Sequence, residues 1–243
     1  MIEVADNVAL RAEDVHKSYL EGTRMVEVLK NVTLNVRRGE LTLLAGPSGS
    51  GKTTLLTIMG LLLKPTSGKI VLLGRDVTAL GEAALPAIRR RHIGFIFQGF
   101  NLLSSLNALQ NVEIALGLQG VTGSRARKQA MELLEHVGLE HRWRHRPAAM
   151  SGGEKQRVAV ARALASPAEL VLADEPTGNL DSNTGSQVIT TLQQLAHEQN
   201  RAVLVVTHDQ SLFTLADRIV RLRDGQILDD ELVYSGASAK MPA

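Results

Sequence analysis

A glycine-rich stretch at residues 46–54 constrains the fold of this chain more than any other feature. It consists of Gly46, Pro47, Ser48, Gly49, Ser50, Gly51, Lys52, Thr53 and Thr54, and it matches the phosphate-binding pattern G-x-x-x-x-G-K-[ST]. Residues 41–45 are short, apolar and bounded by turn residues, which is typical of a buried strand in a parallel sheet. Residues 53–59 contain no helix breaker and predict a helix. The stretch therefore has the strand–loop–helix setting that phosphate binding needs.

The residue types explain how this P-loop would hold a nucleotide. Its glycines let backbone N–H groups approach phosphate oxygens, and the start of the following helix adds a positive dipole end. Lys52 would bring its charge to the β- and γ-phosphates, and the hydroxyl of Thr53 would bind Mg²⁺. A Gly/Ser-rich turn that happens to end in Lys-Thr is the alternative, but it leaves the flanking strand and helix unexplained. The loop alone does not separate kinases, GTPases and motor ATPases.

Composition limits the class of protein. The 243 residues, of which 44% are hydrophobic, are enough for one large domain or two lobes. The absence of cysteine excludes disulfides and cysteine-based zinc sites and fits a reducing cytoplasm. The net charge of +2 does not demand a polyanionic partner, although a pI near 9.0 allows weak attraction to a membrane surface.

Neither a membrane span nor a signal peptide is predicted. The most apolar segment, residues 55–63, is much shorter than the roughly 20 residues of a membrane-spanning helix. Residues 1–6 lack the basic region and the apolar core of a signal peptide. We therefore predict a soluble, cytoplasmic protein that another chain must anchor if it works at a membrane.

The order of the predicted elements favours an α/β fold with a mostly parallel sheet. Residues 10–15 and 32–36 alternate apolar with polar side chains, which predicts half-buried antiparallel strands joined by a loop over residues 17–24. Further strands are predicted at residues 69–73, 93–98, 203–207 and 219–222, and a helix at residues 210–216. Residues 101–149 show no strand pattern, and the helical spacing at 112–118 and 125–137 predicts a helical insertion.

Several basic and aromatic residues allow more than one interpretation. Residues 89–92 read RRRH and form either a solvated face or a contact for an acidic partner or lipid headgroups. Residues 142–147 interleave arginines with Trp143 and could stack on bases, but the run is short and the overall charge is nearly balanced, so no nucleic-acid partner is expected. Phe95 and Phe97 share a strand face and are expected in the core, whereas Phe100 suits either the core or a partner groove.

Two adjacent carboxylates end another predicted strand. Residues 170–173 are apolar and are followed by Asp174 and Glu175, the Walker B pattern. Asp174 would hold the Mg²⁺ shell, and Glu175 would polarise the water that attacks the γ-phosphate. Two acidic residues at the start of a helix are the alternative, but the preceding buried strand argues against it.

Residues 150–157, MSGGEKQR, distinguish further among P-loop proteins. Ser151 and Glu154 form a capping box for a helix that continues through residues 158–164. Gly152 and Gly153 have no purpose in capping and would cost helix stability. They would, however, let the backbone approach an anion closely.

Taken in order, these motifs resemble those of the ATP-binding cassette (ABC) ATPases. Ser151, Gly152 and Gly153 with the following Gln156-Arg157 are similar to the family's signature motif. The family order is kept by Tyr19, the P-loop, Gln98, the signature, Asp174-Glu175, Asn179-Leu180-Asp181 and His208. The resemblance covers about residues 8–230, and residues 93–98 and 173–181 look most like the MacB/LolD group of lipoprotein release, macrolide export and cell division.

The resemblance implies a role for each matching residue. Tyr19 would stack on adenine, and Gln98 would contact the metal and the attacking water and would sense a membrane partner. His208 would contact the γ-phosphate and would act in catalysis with Lys52, Glu175 and Gln98. The Mg²⁺ ligands would be Thr53, Gln98 and Asp174. Ser151, Gly152 and Gly153 would close over ATP bound to a second copy, with Asp181 along the seam of this head-to-tail dimer.

Two signature positions depart from the family pattern. Met150 stands where leucine is usual, which conserves volume, and Glu154 stands where glutamine is usual. A carboxylate near a triphosphate looks repulsive, although a capping Glu154 can turn back to the start of its helix. Whether Glu154 contacts nucleotide stays open.

The resemblance also implies the architecture and the function. The fold would be a P-loop NTPase fold of the ABC ATPase type. Residues 1–98 and 160–230 would form a mostly parallel core with an N-terminal antiparallel β subdomain. Residues 99–159 would form an inserted helical subdomain, and residues 231–243 a flexible tail. With ATP and Mg²⁺, it would be the motor subunit of a transporter at the cytoplasmic face of the plasma membrane. A separate permease, MacB/FtsX-like, would dock near residues 98–103 and would export or extract lipoprotein, lipid, peptide or drug substrates. The alternatives are force transmission without transport and a soluble ABC ATPase in DNA repair or translation.

Overall fold

The computed structural model describes residues 7–233 of the chain. Its strands are β1 (Val8–Glu21), β2 (Arg24–Arg37), β3 (Glu40–Ala45), β4 (Ser67–Leu72), β5 (Arg75–Asp76), β6 (Ile93–Phe97), β7 (Leu170–Asp174), β8 (Ala202–Thr207), β9 (Arg218–Arg223) and β10 (Gln226–Leu232). Its α-helices are α1 (Lys52–Met59), α2 (Leu85–His92), α3 (Ala108–Leu118), α4 (Gly123–His136), α5 (Gly152–Leu164) and α6 (Ser182–Gln199). Residues Pro147–Ala149 and Gln210–Leu215 form 3₁₀ segments, and the second of these lies where the sequence predicted a helix at 210–216.

The central sheet is mostly parallel, as predicted, in the order β10-β9-β3-β8-β7-β6. β3 pairs in parallel with β8 and β9, β7 pairs in parallel with β8 and β6, and only β10 runs antiparallel to its neighbour. The register places Ala45 beside Thr207, Val206 beside Asp174, and Asp174 beside Phe97. Four strands therefore end together at one edge, which is where open α/β sheets bind ligands.

A second, antiparallel sheet has the order β2-β1-β4-β5 and confirms the predicted N-terminal β subdomain. The loop predicted at residues 17–24 is wrong, because β1 and β2 continue to a turn at Gly22 and Thr23. The far half of this hairpin has no fully buried face: most side chains of residues 19–25 are exposed. Backbone pairing holds it as a strand without the alternation of apolar and polar residues on which the prediction relied.

The parallel sheet separates two hydrophobic cores. Leu43 and Leu44 are adjacent in β3 and fully buried, but they face opposite sides of the sheet. Leu43 packs in the core with α3, α4, α5 and α6, and Leu44 packs in the core with α1 and the antiparallel sheet. The continuous apolar character of β3, β7 and β8 follows from this burial on both faces.

The segment between β6 and β7 is helical, as predicted. Ala126, Ala130 and Leu134 form the buried stripe of α4, which packs against α3 and α5. Trp143 is half-buried against the same core, and the guanidinium carbons of Arg127 and Arg144 lie 5.1 and 4.4 Å from the centroid of its ring. In this arrangement Trp143 supports the helical packing.

β10 continues through Leu232, and so it includes the first two residues of the tail predicted at 231–243. The rest of that predicted tail from residue 234, and residues 1–6, lie outside the described residues. Among residues 7–233, no helix is both long enough and apolar enough to cross a bilayer.

Candidate functional site

The P-loop connects the end of β3 at Ala45 to the start of α1 at Lys52, as the sequence predicted. A Cβ added to Gly46 would lie 2.0 Å from the carbonyl oxygen of Leu222, so no side chain fits there. Gly51 caps α1 with a φ of 100°, and its Cβ would lie 2.9 Å from the carbonyl oxygen of Val28. The loop is thus packed directly against β9 and β2, which leaves a backbone-lined cradle at the start of a helix.

Lys52 occupies this cradle with its own ammonium group. Its Nζ donates to the carbonyl oxygens of Gly46 and Pro47, both at 2.8 Å, and the residue is only 6% exposed. Burial lowers the pKa of Lys52, while the charges of Glu175 and Asp174 oppose that shift. A nearly buried cation with two neutral acceptors is an environment in which an incoming phosphate would be favoured.

Thr53 and Asp174 bring two oxygen ligands together next to the loop. The Thr53 hydroxyl donates to Oδ1 of Asp174 at 3.0 Å. Burial is the largest influence on the pKa of Asp174 and raises it, and the neighbouring charge of Glu175 raises it further. Adjacent hydroxyl and carboxylate oxygens fit Mg²⁺, which usually takes one or two protein ligands and fills its shell with phosphate and water. Within residues 7–233, no cluster of three or more His, Cys, Asp or Glu side chains could hold a metal by itself.

Glu175 is held in an uncommon backbone conformation at the end of β7. Its φ is 43°, in the left-handed region, where a residue other than glycine is strained. Its N–H donates to the carbonyl of Val206 at 3.0 Å, and its Oε1 lies 3.0 Å from Nδ1 of His208. The strand ends thus place a carboxylate and an imidazole in contact beside the Thr53–Asp174 pair.

Gln98 reaches the same point from β6. Gly178 lies between the side-chain amide of Gln98 and Glu175. A Cβ built on Gly178 would be 2.7 Å from Nε2 of Gln98 and 3.4 Å from Oε2 of Glu175. The Nδ2 group of Asn179 donates to the carbonyl oxygen of Gln98 at 2.8 Å. A side chain at position 178 would therefore displace the Gln98 amide from its place beside the Glu175 carboxylate. Sequence reasoning missed Gly178, since it lies between two recognised motifs and matters only through this contact.

The signature segment begins α5 with the predicted capping box. Oγ of Ser151 accepts from the Glu154 N–H at 3.2 Å, and Oε2 of Glu154 accepts from the Ser151 N–H at 2.8 Å. The second carboxylate oxygen lies 2.9 Å from Nε of Arg142. The hydrogen bond from the Ser151 N–H, together with the charge of Arg142, lowers the pKa of Glu154. The Glu154 side chain does turn back to the start of its helix.

Gly152 and Gly153 form the first turn of α5, directly after the cap residue Ser151. A Cβ on Gly152 would lie 3.2 Å from the Asn179 carbonyl oxygen, and one on Gly153 would lie 2.4 Å from Cγ2 of Thr184. Both glycines thus have a packing reason within this chain, which the sequence alone could not reveal. Whether they also approach an anion stays a prediction.

Asp181 lies next to the signature as the N-cap of α6. Its carboxylate accepts from the backbone N–H of Thr184 at 3.0 Å and from the Thr184 hydroxyl at 2.7 Å, and these bonds lower the pKa of Asp181. In the described part of the chain, no hydrogen bond or ion pair joins residues 151–154 to the P-loop. The predicted site residues therefore form two groups, one around Lys52 and Glu175 and the other around Ser151 and Asp181.

Tyr19 lies on β1 opposite Val26 of β2. Val26 is close to the P-loop, because Val28, two residues or about 7 Å further along the same strand, has its carbonyl oxygen packed against Gly51. Tyr19 as a residue is 38% exposed, and Nζ of Lys17 lies 5.0 Å from the centroid of its ring. A half-exposed ring close to the P-loop is available to stack on a base.

Gly153→Ala is expected to destabilise the fold by about 1–3 kcal/mol, because the new methyl group would overlap Cγ2 of Thr184. Thr184→Ser removes that Cγ2 but retains the hydroxyl that donates to Asp181. The double variant is therefore expected to recover the lost stability, as measured by urea unfolding of the two single variants and the double variant. A double variant as unstable as Gly153→Ala would contradict this packing assignment.

Comparison with protein families gives a match to a model described as ABC transporter over residues 29–178. A macrolide export ATP-binding/permease protein MacB of Vibrio parahaemolyticus is 41% identical over 241 residues, which cover 98% of this chain and 37% of that protein. An uncharacterized ABC transporter ATP-binding protein of Thermotoga maritima is 47% identical over 88% of this chain and 91% of that protein. The chain thus spans about a third of the MacB proteins it matches and nearly all of the Thermotoga relative.

The solved structures that this chain resembles are also ATP-binding cassettes and ABC transporter components. The ATP-binding cassette MJ0796, in a dimeric post-hydrolysis state bound to ADP and Pi, is similar with a TM-score of 0.86 and 42% identity over 92% of this chain and 98% of that chain. CbiO1 from Clostridium perfringens, part of the ABC transporter complex CbiONQ, is similar with a TM-score of 0.83 and 25% identity over 93% of this chain and 89% of that chain.

Proposed function

The chain belongs to the ABC transporter family, and from that premise we propose that it hydrolyses ATP as the motor subunit of a MacB/LolD-like transporter. The observation that carries the proposal is the meeting of four strand ends at one edge of the sheet. There, Lys52, the Thr53–Asp174 pair and the Glu175–His208 pair lie together, with Gln98 beside Glu175. A cation, a pair of magnesium-type oxygen ligands and a carboxylate base are what phosphoryl transfer to water requires.

Bound nucleotide and metal would replace several of the contacts that these side chains make in this structure. Lys52 would exchange its two carbonyl acceptors for β- and γ-phosphate oxygens, and the Thr53 and Asp174 oxygens would hold the metal. Bound Mg²⁺ would neutralise charge on those phosphate oxygens. Glu175 would accept a hydrogen bond from the attacking water and would be oriented by His208, which is 59% exposed at its side chain and can turn toward the γ-phosphate.

We further propose that the signature segment serves ATP bound to a second copy of the chain. Ser151, Gly152 and Gly153 open the 13-residue helix α5, and helix N-termini favour anions. The capping box turns the carboxylate of Glu154 back toward Arg142, which removes the expected repulsion. Because this group is separate from the P-loop, a head-to-tail dimer would complete both sites. The dimeric state of the MJ0796 cassettes supports the dimer.

A groove of about 700 Å³ supports docking of a membrane protein near residues 98–103. It lies between α2, β6, α3 and α5, and Phe95, Phe97 and Leu118 provide its apolar lining. Phe95 and Phe97, expected in the core, are only half-buried and stack with a centroid distance of 5.6 Å. The MacB relatives are ATP-binding/permease proteins, so we propose a permease of that type as the occupant, which would place the chain at the inner face of the plasma membrane.

The test of this function is ATP-driven dimerisation of Glu175→Gln. Glutamine preserves the size of the side chain but cannot act as a base, so bound ATP should persist and hold the dimer closed. Sizing chromatography should show a dimer with Mg·ATP and a monomer without nucleotide. Lys52→Ala in the same background is the control and should stay monomeric. A monomer of Glu175→Gln at every ATP concentration would contradict the proposed function.

The Gly153→Ala/Thr184→Ser variant adds a second control. If Gly153 serves only packing, this variant should dimerise as Glu175→Gln does when it is built in that background. If the glycine also permits close approach to the γ-phosphate, dimerisation should remain weakened although stability is restored.

A further inference from the structure

Arg142 begins the basic run at residues 142–147, and its guanidinium faces the first turn of α5. Its Nε lies 2.9 Å from Oε1 of Glu154, and its Nη1 lies 3.3 Å from Nε2 of His145. Nδ1 of His145 lies 3.3 Å from the carbonyl oxygen of Arg142. These contacts fit a neutral imidazole that donates from Nδ1 to the carbonyl and accepts at Nε2 from the guanidinium. The guanidinium is therefore held between Glu154 and His145.

The backbone that carries Arg142 is anchored to the start of α3. The Ala108 N–H donates to the carbonyl oxygen of His145 at 2.9 Å, and the Leu109 N–H donates to the carbonyl oxygen of Trp143 at 3.0 Å. Both donors lie in the first turn of α3, where N–H groups have no partner within the helix. The packing of the helical insertion thus fixes the place from which Arg142 reaches Glu154.

The capping box by itself does not account for the Arg142 contact. Oε2 of Glu154 accepts the capping hydrogen bond from the Ser151 N–H, which leaves Oε1 for Arg142. A glutamine could accept the same capping bond through its side-chain carbonyl, so the cap does not require a charge. The negative charge of Glu154 is what calls for a cation at this place. Without one, an ionised carboxylate in the first turn of α5 would repel an approaching triphosphate.

We propose that Arg142 is a positioning residue of the composite ATP site. It neutralises the Glu154 carboxylate and holds it against the start of α5, so that the triphosphate bound to a second copy can approach the signature segment. This inference rests on the proposed function for the ATP and for the second copy. It adds a role for the basic run at residues 142–147, and it explains how this chain carries glutamate where glutamine is usual.

The test uses dimerisation with Mg·ATP in the Glu175→Gln background, followed by sizing chromatography. Adding Arg142→Gln should raise the ATP concentration for half-dimerisation at least about tenfold, because the unpaired charge of Glu154 would then face the phosphates. A further Glu154→Gln should restore dimerisation to within about twofold, since glutamine keeps the capping bond without the charge. Loss of packing around Arg142 would not be reversed by that change.

Arg144→Gln is the matched control, because it removes an equal charge from the same run. The Arg144 side chain is exposed and its guanidinium lies over the Trp143 ring. This variant should dimerise as the Glu175→Gln parent does. Calorimetric affinity for ADP should also be unchanged in Arg142→Gln, since ADP would occupy the P-loop of one chain and would need no signature segment.

Three results would overturn the role of Arg142: dimerisation of Arg142→Gln at the parent's ATP concentration, no recovery with Glu154→Gln, or a parallel loss of ADP affinity. Failure of this inference is distinguishable from failure of the proposed function. A Glu175→Gln dimer that does not respond to Arg142→Gln would reject the role of Arg142 alone. A parent chain that stays monomeric at every ATP concentration would reject both.

Discussion

Lys52→Ala is expected to reduce ATP hydrolysis by a factor of about 10²–10³, the range seen when one preorganised donor is removed from a transition state. In the unmodified chain, the ammonium group is almost buried and bonded to the carbonyls of Gly46 and Pro47. Alanine would leave those carbonyl dipoles facing the phosphates with no cation between them. ATP binding should weaken as well, because burial makes a charge interaction stronger than it would be in water.

The measurement compares steady-state ATPase rates with calorimetric ATP affinity. Lys64→Ala is a suitable control, since Lys64 has a half-exposed side chain and pairs at 3.5 Å with the well-exposed Glu82. Its removal should change ATPase activity by less than about twofold, as expected for a surface ion pair. Hydrolysis by Lys52→Ala at the unmodified rate would exclude Lys52 from phosphate binding in this chain.

The sequence predicted the part of the site that depends on strand ends. Residues 41–45, 170–174 and 203–207 are mostly apolar, and a continuous apolar sequence is typical of parallel strands that are buried on both faces. Once they are placed in one sheet, their carboxyl ends must meet, which brings Lys52, Asp174 and His208 to the same edge. The capping box of α5 could be predicted for a similar reason, because it depends only on residues three positions apart.

Other features could not be predicted, since they depend on contacts between distant segments. Gly178 matters because Gln98, 80 positions earlier in the sequence, lies against it, and Gly153 matters because it packs on Thr184. Arg162 looked like an ordinary helix residue, yet it bonds to carbonyls about 60 residues away. The outer half of the β1–β2 hairpin was missed for a different reason: it is exposed, and its strands carry no pattern of burial.

Gly46→Ala is expected to destabilise the fold by about 3 kcal/mol or more and to abolish detectable ATP binding. The new methyl group would lie 2.0 Å from the carbonyl oxygen of Leu222, an atom of β9 that cannot move as a side chain can. Either the P-loop or β9 must shift, and β9 pairs directly with β3, the strand that leads into the loop. Relief of the overlap would therefore disturb the cradle that holds phosphate.

Gly49→Ala is the matched control, because it adds the same methyl group to the same loop. No atom lies within 4 Å of a Cβ at Gly49, but its φ is 79°, so alanine there should cost about 1–2 kcal/mol of backbone strain and no steric overlap. Urea unfolding should therefore order the variants as unmodified chain, Gly49→Ala and Gly46→Ala, from most to least stable. If Gly46→Ala were as stable as Gly49→Ala and still bound ATP, the contact between the P-loop and β9 would not be needed for the cradle. Loss of ATP binding in Gly46→Ala with unchanged stability would instead show that the loop yields while β9 stays in place.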